Sequence, residues 1–362
     1  MEPRRKLTFL IHTLKTSGGM ERVAATVAGG LTTRGFDVEI LTLWGDTSAY
    51  PLPSEVRLTT LGLSTDVLEV RKKMPQVIRA IRQHLKRRRP DTLIVTDTFL
   101  SLFATPAAFG LRVRQVAWEH FNFHFSFGMR SRQLARGIAA HLAQDVVTLT
   151  QRDVAQWRSA FPRARARLQS ITNPMPFPSL TDNPYALDSR TVLAVGWLDR
   201  RKGFDLLLEA WARVQGDFPG WSLKIIGTGE EEEALRAQAA SLGLERWALA
   251  PQTSHIEQEY RNAGVFVLPS RFEGLPMVLI ESQAHGVPAV AFDCLTGPAE
   301  IFETGGGVLV PLEDVEGFAR ELGGLMADTA ARQGLSERAF QGTKRYERER
   351  VLDHWMTLLG AR

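Results

Sequence analysis

Short β-branched runs alternate with amphipathic helical patterns along this chain, and the alternation occurs twice. In the first half the strand-like runs are Leu7–Leu14, Val38–Leu43, Thr92–Thr96, Gln115–Trp118 and Val146–Leu149. In the second half they are Val192–Gly196, Leu223–Gly227, Val265–Leu268, Val287–Phe292 and Val308–Val310. Helical patterns lie between them, for example Met20–Thr33, Phe204–Val214, Glu231–Ser241 and Pro276–His285. Parallel strands need a crossover between them, usually a helix, so this alternation specifies parallel sheets covered by helices. Between the two series, residues 171–190 contain Pro174, Pro176, Pro178 and Pro184 without either periodicity. That is the composition of a connection between domains. The expected fold class is therefore α/β, with two Rossmann-like parallel-sheet domains facing across a cleft. The expected divisions are 1–175 and 176–345, with 346–362 forming a terminal helix that packs back toward the first domain.

Charge separates the halves further. Residues 1–180 carry 26 Lys and Arg against 13 Asp and Glu, whereas 181–362 carry 18 against 27. The basic half is expected to face something anionic. The longest apolar uncharged stretch, Thr98–Leu111, contains Pro106 and is too short to span a bilayer. The start of the chain runs directly into a strand-like segment instead of a leader, and the single cysteine, Cys294, cannot form an internal disulfide. These features are those of a cytoplasmic protein.

The richest segment for chemistry is Ser270-Arg-Phe-Glu-Gly-Leu-Pro-Met-Val-Leu-Ile-Glu281. A strand ends at Pro269, a loop carries Glu273 and Gly274, and a helix is expected from Pro276, a residue suited to a first helical position. The amides of Gly274, Leu275 and Met277 would then be open to an anion. Glu281 follows Glu273 by eight residues, so two carboxylates could hold two hydroxyl-bearing parts of one ligand. Solvated or capping glutamates would look the same in sequence.

This segment and its continuation, Ala284-His-Gly-Val-Pro-Ala-Val-Ala-Phe-Asp-Cys-Leu-Thr-Gly-Pro298, resemble glycosyltransferase family 4, retaining enzymes of the GT-B fold. The resemblance extends to Val195-Gly-Trp-Leu-Asp-Arg-Arg-Lys-Gly-Phe-Asp205, to Tyr260-Arg-Asn-Ala-Gly-Val-Phe-Val-Leu-Pro-Ser270 and to Ser17-Gly-Gly-Met-Glu-Arg22. It implies transfer of a hexosyl group from a nucleotide sugar, with uridine diphosphate the expected nucleotide. The implied acceptor is a lipid-linked or polysaccharide glycan of the bacterial cell envelope, in lipopolysaccharide or exopolysaccharide synthesis. Residue by residue, it implies that Glu281 binds the nucleotide ribose and that Glu273 contacts the donor sugar, with Gly274, Leu275, Pro276 and Met277 beside it. Lys202 matches the lysine that clamps the diphosphate, and His120 matches a histidine that faces the donor sugar. The family pattern has arginine where this chain has Trp197, so Arg200 or Arg201 would supply that charge.

Gly18 and Gly19 follow the first strand, where backbone can approach a phosphate or acceptor closely. They read equally as turn residues. Glu119 and His124 flank His120 with weaker claims. A nucleoside diphosphate leaves without protonation by a carboxylic acid, and the chain contains no Asp-x-Asp. A metal-independent reaction without a cofactor is expected, the nucleotide sugar being a substrate. The competing enzyme class is a nucleotide-sugar epimerase of the same architecture, which needs no acceptor. A non-catalytic sugar-binding protein is a third reading. Gly227-Thr-Gly229 lacks the third glycine of a dinucleotide fingerprint, so a nicotinamide enzyme is poorly supported.

Residues 71–89 combine an apolar stripe (Met74, Val77, Ile78, Ile81, Leu85) with nine Lys and Arg and no acid. The stripe reads as a scaffold helix packed on the first sheet. Without interleaved aromatics the basic face does not suit nucleic acid. It is expected instead to attach the protein peripherally to an anionic membrane, on the inner face of the cytoplasmic membrane.

Overall fold

A computed structural model describes residues 4–16, 18–63, 73–126 and 128–360. It divides into two compact units, Met1–Pro176 with Arg348–Arg362, and Phe177–Glu347.

The first unit is built on a seven-stranded sheet of β1 (Lys6–Ile11), β2 (Asp37–Thr42), β3 (Arg57–Thr60), β4 (Thr92–Thr96), β5 (Arg114–Trp118), β6 (Asp145–Thr148) and β7 (Arg167–Ser170). Their order is β3-β2-β1-β4-β5-β6-β7, with every pair parallel. Its helices are α1 (Gly19–Thr33), α2 (Met74–Arg88), α3 (Ser101–Ala108), α4 (Arg130–Leu142) and α5 (Gln151–Ala160). The second unit has a six-stranded parallel sheet of β8 (Thr191–Val195), β9 (Ser222–Ile226), β10 (Trp247–Ala250), β11 (Val265–Leu268), β12 (Ala289–Phe292) and β13 (Gly307–Val310). Its order is β10-β9-β8-β11-β12-β13. The helices that serve it are α6 (Phe204–Val214), α7 (Glu232–Ser241), α8 (Ile256–Arg261), α9 (Met277–Ala284), α10 (Pro298–Ile301), α11 (Val315–Ala327) and α12 (Thr329–Gly342).

The central strands lie where the β-branched runs predict them. Three strands carry no comparable run: β3, β7 and β10. All three are four-residue edge strands whose side chains are half-buried or exposed. An edge strand buries little, so its residues need not be apolar. Two expected ends move by more than one residue. β1 stops at Ile11, and β12 begins at Ala289 instead of Val287.

In the second unit α6 buries Phe204, Leu207, Leu208, Ala210, Trp211 and Val214, one face of a 3.6-residue period, against Trp221, Phe292 and Phe318. A last helix, α13 (Arg348–Leu359), belongs to the first unit. Trp355 packs edge-on against Trp118 with centroids 4.7 Å apart, and Arg34 pairs with Glu349 and Asp353, each at 2.6 Å. No helix among the described residues is long and apolar enough to cross a membrane.

The strand orders create one reversal point in each sheet, β1/β4 in the first and β8/β11 in the second. Loops leaving the carboxyl ends of strands diverge at such points and leave a crevice. His12 and Asp97 follow β1 and β4, while Lys202 and Glu273 follow β8 and β11.

Candidate active site

After β8 the chain makes a single 3-10 turn, Arg200–Lys202, started by the Asp199 carboxylate, which accepts from the Lys202 amide at 3.1 Å. Gly203 then takes φ +68, and a Cβ there would come within 2.0 Å of the Pro269 carbonyl. Glycine therefore lets this turn lie directly on the loop leaving β11. The Arg271 amide donates to the Arg201 carbonyl at 2.9 Å, and the Arg271 guanidinium grips Asp205 through two bonds of 2.7 Å. Two loops 71 residues apart are thereby locked side by side.

The lock brings Lys202 Nζ to 2.6 Å from Glu273 Oε1. Both side chains are largely buried, 12% and 6% exposed. Ser270 Oγ donates to the same carboxylate oxygen at 2.7 Å, and Thr296 Oγ1 donates to the Glu273 carbonyl at 2.6 Å. Pro276 is the N-cap of α9, one position earlier than the first helical residue predicted for it. The amides of Gly274, Leu275, Met277 and Val278 donate to no group among the described residues. They and the Lys202 ammonium form a set of donors for a multiply charged anion.

Glu281, on α9, is also buried. Its Oε2 accepts from Tyr260 OH at 2.8 Å, and its carbonyl meets His285 Nδ1 at 2.9 Å. Burial, with the Glu273 charge adding, pushes the Cys294 thiol up to about 12, so it is no thiolate nucleophile at neutral pH. Arg201 pairs with Asp199 at 3.0 Å, Arg200 is exposed, and Trp197 is 51% exposed. Gly227-Thr-Gly229 packs on the turn after β8, with Leu198 N donating to Thr228 O at 2.8 Å. No group of three or more His, Cys, Asp or Glu among the described residues could hold a metal ion.

In the first unit His120 stands at the end of β5, 4.4 Å from Trp118 between ring centroids. Its Nε2 is buried without a hydrogen-bond partner, and burial lowers its pKa to about 4. His120 is therefore neutral at pH 7. Glu119 serves a different purpose: it accepts from Arg136 Nε at 2.9 Å and from Thr98 Oγ1. Arg136 also donates to the carbonyls of Asn122, Phe123 and Phe125, which pins the loop that follows His120. His124 is exposed. Asp97 sits at φ +83, an unfavourable backbone for a non-glycine residue, and both its oxygens accept from Arg132 at 2.8 Å.

Beside Asp97 lies a cavity of about 250 Å³ walled by Leu43, Phe99, Phe103 and Phe121, with His12, Glu21 and Arg132 as its polar groups. His12 Nδ1 faces Trp44 Nε1 at 3.4 Å, which leaves Nε2 buried and unpartnered. Gly19 opens α1 and Gly18 is its N-cap. A Cβ on Gly18 would lie 2.1 Å from Glu21 Oε2, so the Glu21 carboxylate already covers that helix start. Ser17 lies outside the described residues.

The chain matches the family models "Glycosyltransferase Family 4" over residues 17–176 and "Glycosyl transferases group 1" over residues 181–342. It is 34% identical to the amylovoran biosynthesis glycosyltransferase AmsD of Erwinia amylovora, across 98% of this chain and 99% of that one. The chain is a family 4 glycosyltransferase. An uncharacterized glycosyltransferase of Haemophilus influenzae is 30% identical across 98% of this chain and all of that one. An N-acetylgalactosaminyltransferase of Campylobacter jejuni, named for an undecaprenol-diphosphate-linked substrate, is 26% identical over 98% of each. Among solved structures, S. aureus TarM in complex with UDP superposes with a TM-score of 0.80 at 13% identity, covering 99% of this chain and 100% of that one. The two sheets are those of the GT-B fold. Relatives of this glycosyltransferase are named for amylovoran biosynthesis in Erwinia amylovora and as a lipopolysaccharide 1,6-galactosyltransferase in Salmonella typhimurium.

The sequence motifs single out Glu273, Glu281 and Lys202, and the second unit sets Lys202 against Glu273. Tyr260, Ser270, Arg271 and Thr296, which orient those groups, take no separate role from the motifs. His12 and Asp97 stand outside the motifs altogether. The signal for them is positional, since each directly follows a strand at the reversal point of the first sheet.

Proposed function

We propose that this enzyme transfers a hexosyl group, with retention and without a metal, from a UDP-sugar to a lipid-linked or polysaccharide acceptor. The observation that carries the donor reading is the Lys202–Glu273 pair at 2.6 Å beside the unpaired amides of Gly274, Leu275, Met277 and Val278. A diphosphate would draw Lys202 from Glu273 and take the amides, so negative charge developing on the leaving group meets donors already in place. Glu273, released from Lys202, would accept from a donor-sugar hydroxyl. Glu281, oriented by Tyr260, would accept from the ribose hydroxyls. His120, neutral and unpartnered at Nε2, would offer that nitrogen to a sugar hydroxyl.

UDP as the nucleotide class is supported by the TarM complex, and a lipid-linked acceptor by the substrate named for the Campylobacter enzyme. The aromatic cavity beside His12 and Asp97 suits the apolar face of an acceptor sugar, with His12 and Glu21 for its hydroxyls. The relatives are named as transferases, and an epimerase would use no acceptor; the epimerase reading is set aside. The test is a screen of UDP- and GDP-sugars for slow nucleotide release, with Lys202→Ala as control. Release from a UDP-sugar, lost in Lys202→Ala, supports the reading. Release only from GDP-sugars would overturn the nucleotide assignment.

A further inference from the structure

The polar groups of the cavity beside Asp97 are few, and each has a definite hydrogen-bonding sense. Two of them are spent on each other. Both Asp97 oxygens accept from Arg132 at 2.8 Å, and the guanidinium lies over the Phe121 ring, 4.9 Å from its centroid. His12 and Glu21 remain for a ligand.

An indole N–H can only donate. Trp44 Nε1, at 3.4 Å, therefore makes His12 Nδ1 the acceptor, and the neutral imidazole carries its proton on Nε2. Burial lowers the pKa of His12, which favours that neutral ring. Its Nε2 is thus a donor, buried and without a partner. Glu21 has the opposite sense. Its Oε1 accepts from Thr16 Oγ1 at 3.2 Å, and a carboxylate has lone pairs for further donors. The cavity offers one N–H and one carboxylate.

Charge narrows the occupant. Glu21, Asp97 and Arg132 bring two acids against one base, and Glu21 already covers the start of α1. The cations of the first unit cluster instead along residues 71–89, of which Arg71 and Lys72 lie outside the described residues. A phosphate or a uronate would find no net positive charge in the cavity, so a neutral group belongs there. The wall narrows it further. Leu43, Phe99, Leu100 and Phe103 are all buried and apolar. A hydroxyl set against them would give up water and gain no partner. At about 250 Å³ the cavity is also smaller than the sites that enclose whole drug-sized ligands.

We infer that this cavity takes the acetamido group of the acceptor, whose receiving residue is an N-acetylated amino sugar. A secondary amide has the matching senses: its carbonyl accepts from His12 Nε2, its N–H donates to Glu21, and its methyl meets Phe99 and Phe103. The inference rests on the proposed acceptor reading of the cavity and names the class of sugar that enters it. A plain hexose carries a hydroxyl where the amide would be and leaves the apolar wall unfilled.

The test is binding of methyl glycosides to the full chain, without donor, followed by NMR titration and saturation transfer. Methyl glycosides of N-acetylglucosamine and N-acetylgalactosamine should bind about tenfold or more tighter than those of glucose and galactose. Irradiation of the protein's aromatic protons should transfer most strongly to the acetamido methyl. His12→Ala should lose most of the preference, and His12→Gln, which restores an N–H donor, should recover part of it. Equal binding of the two classes, binding of neither at millimolar concentration, or a methyl signal no stronger than the ring protons would overturn the inference. These titrations of the parent decide it even where a variant fails to fold. Nucleotide release from a UDP-sugar by the same preparation reports on the donor reading separately. Release without an acetamido preference would refute this inference alone, and an acetamido preference without release would refute the donor reading alone.

Discussion

Replacing Glu273 with glutamine should tighten the binding of free UDP while it slows transfer. Lys202 is held by Glu273 at 2.6 Å in surroundings that leave the two side chains 12% and 6% exposed. A hydrogen bond to a charged group contributes about 1.5–3 kcal/mol. The glutamine can still accept from the ammonium but carries no charge, so the bond moves from the upper to the lower end of that range and the hold on Lys202 relaxes by about 1 kcal/mol. It also removes a negative charge from the place a diphosphate must occupy. Affinity for UDP should rise about fivefold by this reckoning. UMP, which does not reach as far, should bind as before. Calorimetry on the parent, Glu273→Gln, Lys202→Ala and the double variant forms a cycle. Once Lys202 is absent, the Glu273 substitution should lose the part of its effect on UDP that comes from freeing the ammonium, so the two substitutions should be non-additive. Weaker UDP binding in Glu273→Gln, or equal tightening of UMP, would refute the assignment of Lys202 to the diphosphate.

Glu281→Ala should weaken UDP and UMP by the same factor, roughly tenfold or more, because a ribose contact is common to both; unequal loss in calorimetry would contradict it. Arg88→Gln should lower the melting temperature by a few degrees, because it removes the largely buried cation that bridges Asp37 and the buried Glu39; an unchanged melting curve would refute that. Burial pushes Asp153 up from 3.8 to about 7, so the fold binds its proton more tightly than the unfolded chain does. Its contribution therefore favours folding at low pH and is lost as pH rises from about 4 to about 7. Asp153→Asn should melt higher than the parent at pH 8, with a gain that shrinks toward pH 4; a gain independent of pH would contradict this.

Much of the fold is legible because a buried parallel strand must be apolar on both faces. The central strands announce themselves in that way, whereas β3, β7 and β10, three of the four edge strands, carry no such run. The loop carrying Glu273 is legible for a related reason: Gly-Leu-Pro between a strand and a helix permits few backbone courses. What it faces is not legible. Lys202 and Glu273 are far apart in the chain, and only the adjacency of β8 and β11, with Gly203 packed on Pro269, brings them together. The basic helix shows the same limit. Its apolar period is plain, yet nothing local separates Arg88, which turns inward to Asp37 on β2, from Lys86 and Arg89, which stay in solvent. Those distinctions depend on the neighbouring element, so they appear only when the sheet is assembled.

Transfer from a nucleotide sugar, with retention and without a metal, is the central claim. Proton NMR of the sugar released during slow hydrolysis of an α-linked UDP-sugar, in excess chelator, tests it most directly. The α-anomer is expected to appear first and to mutarotate afterwards, at a rate the chelator does not change. Initial appearance of the β-anomer, or hydrolysis abolished by chelator and restored by magnesium or manganese, would contradict it.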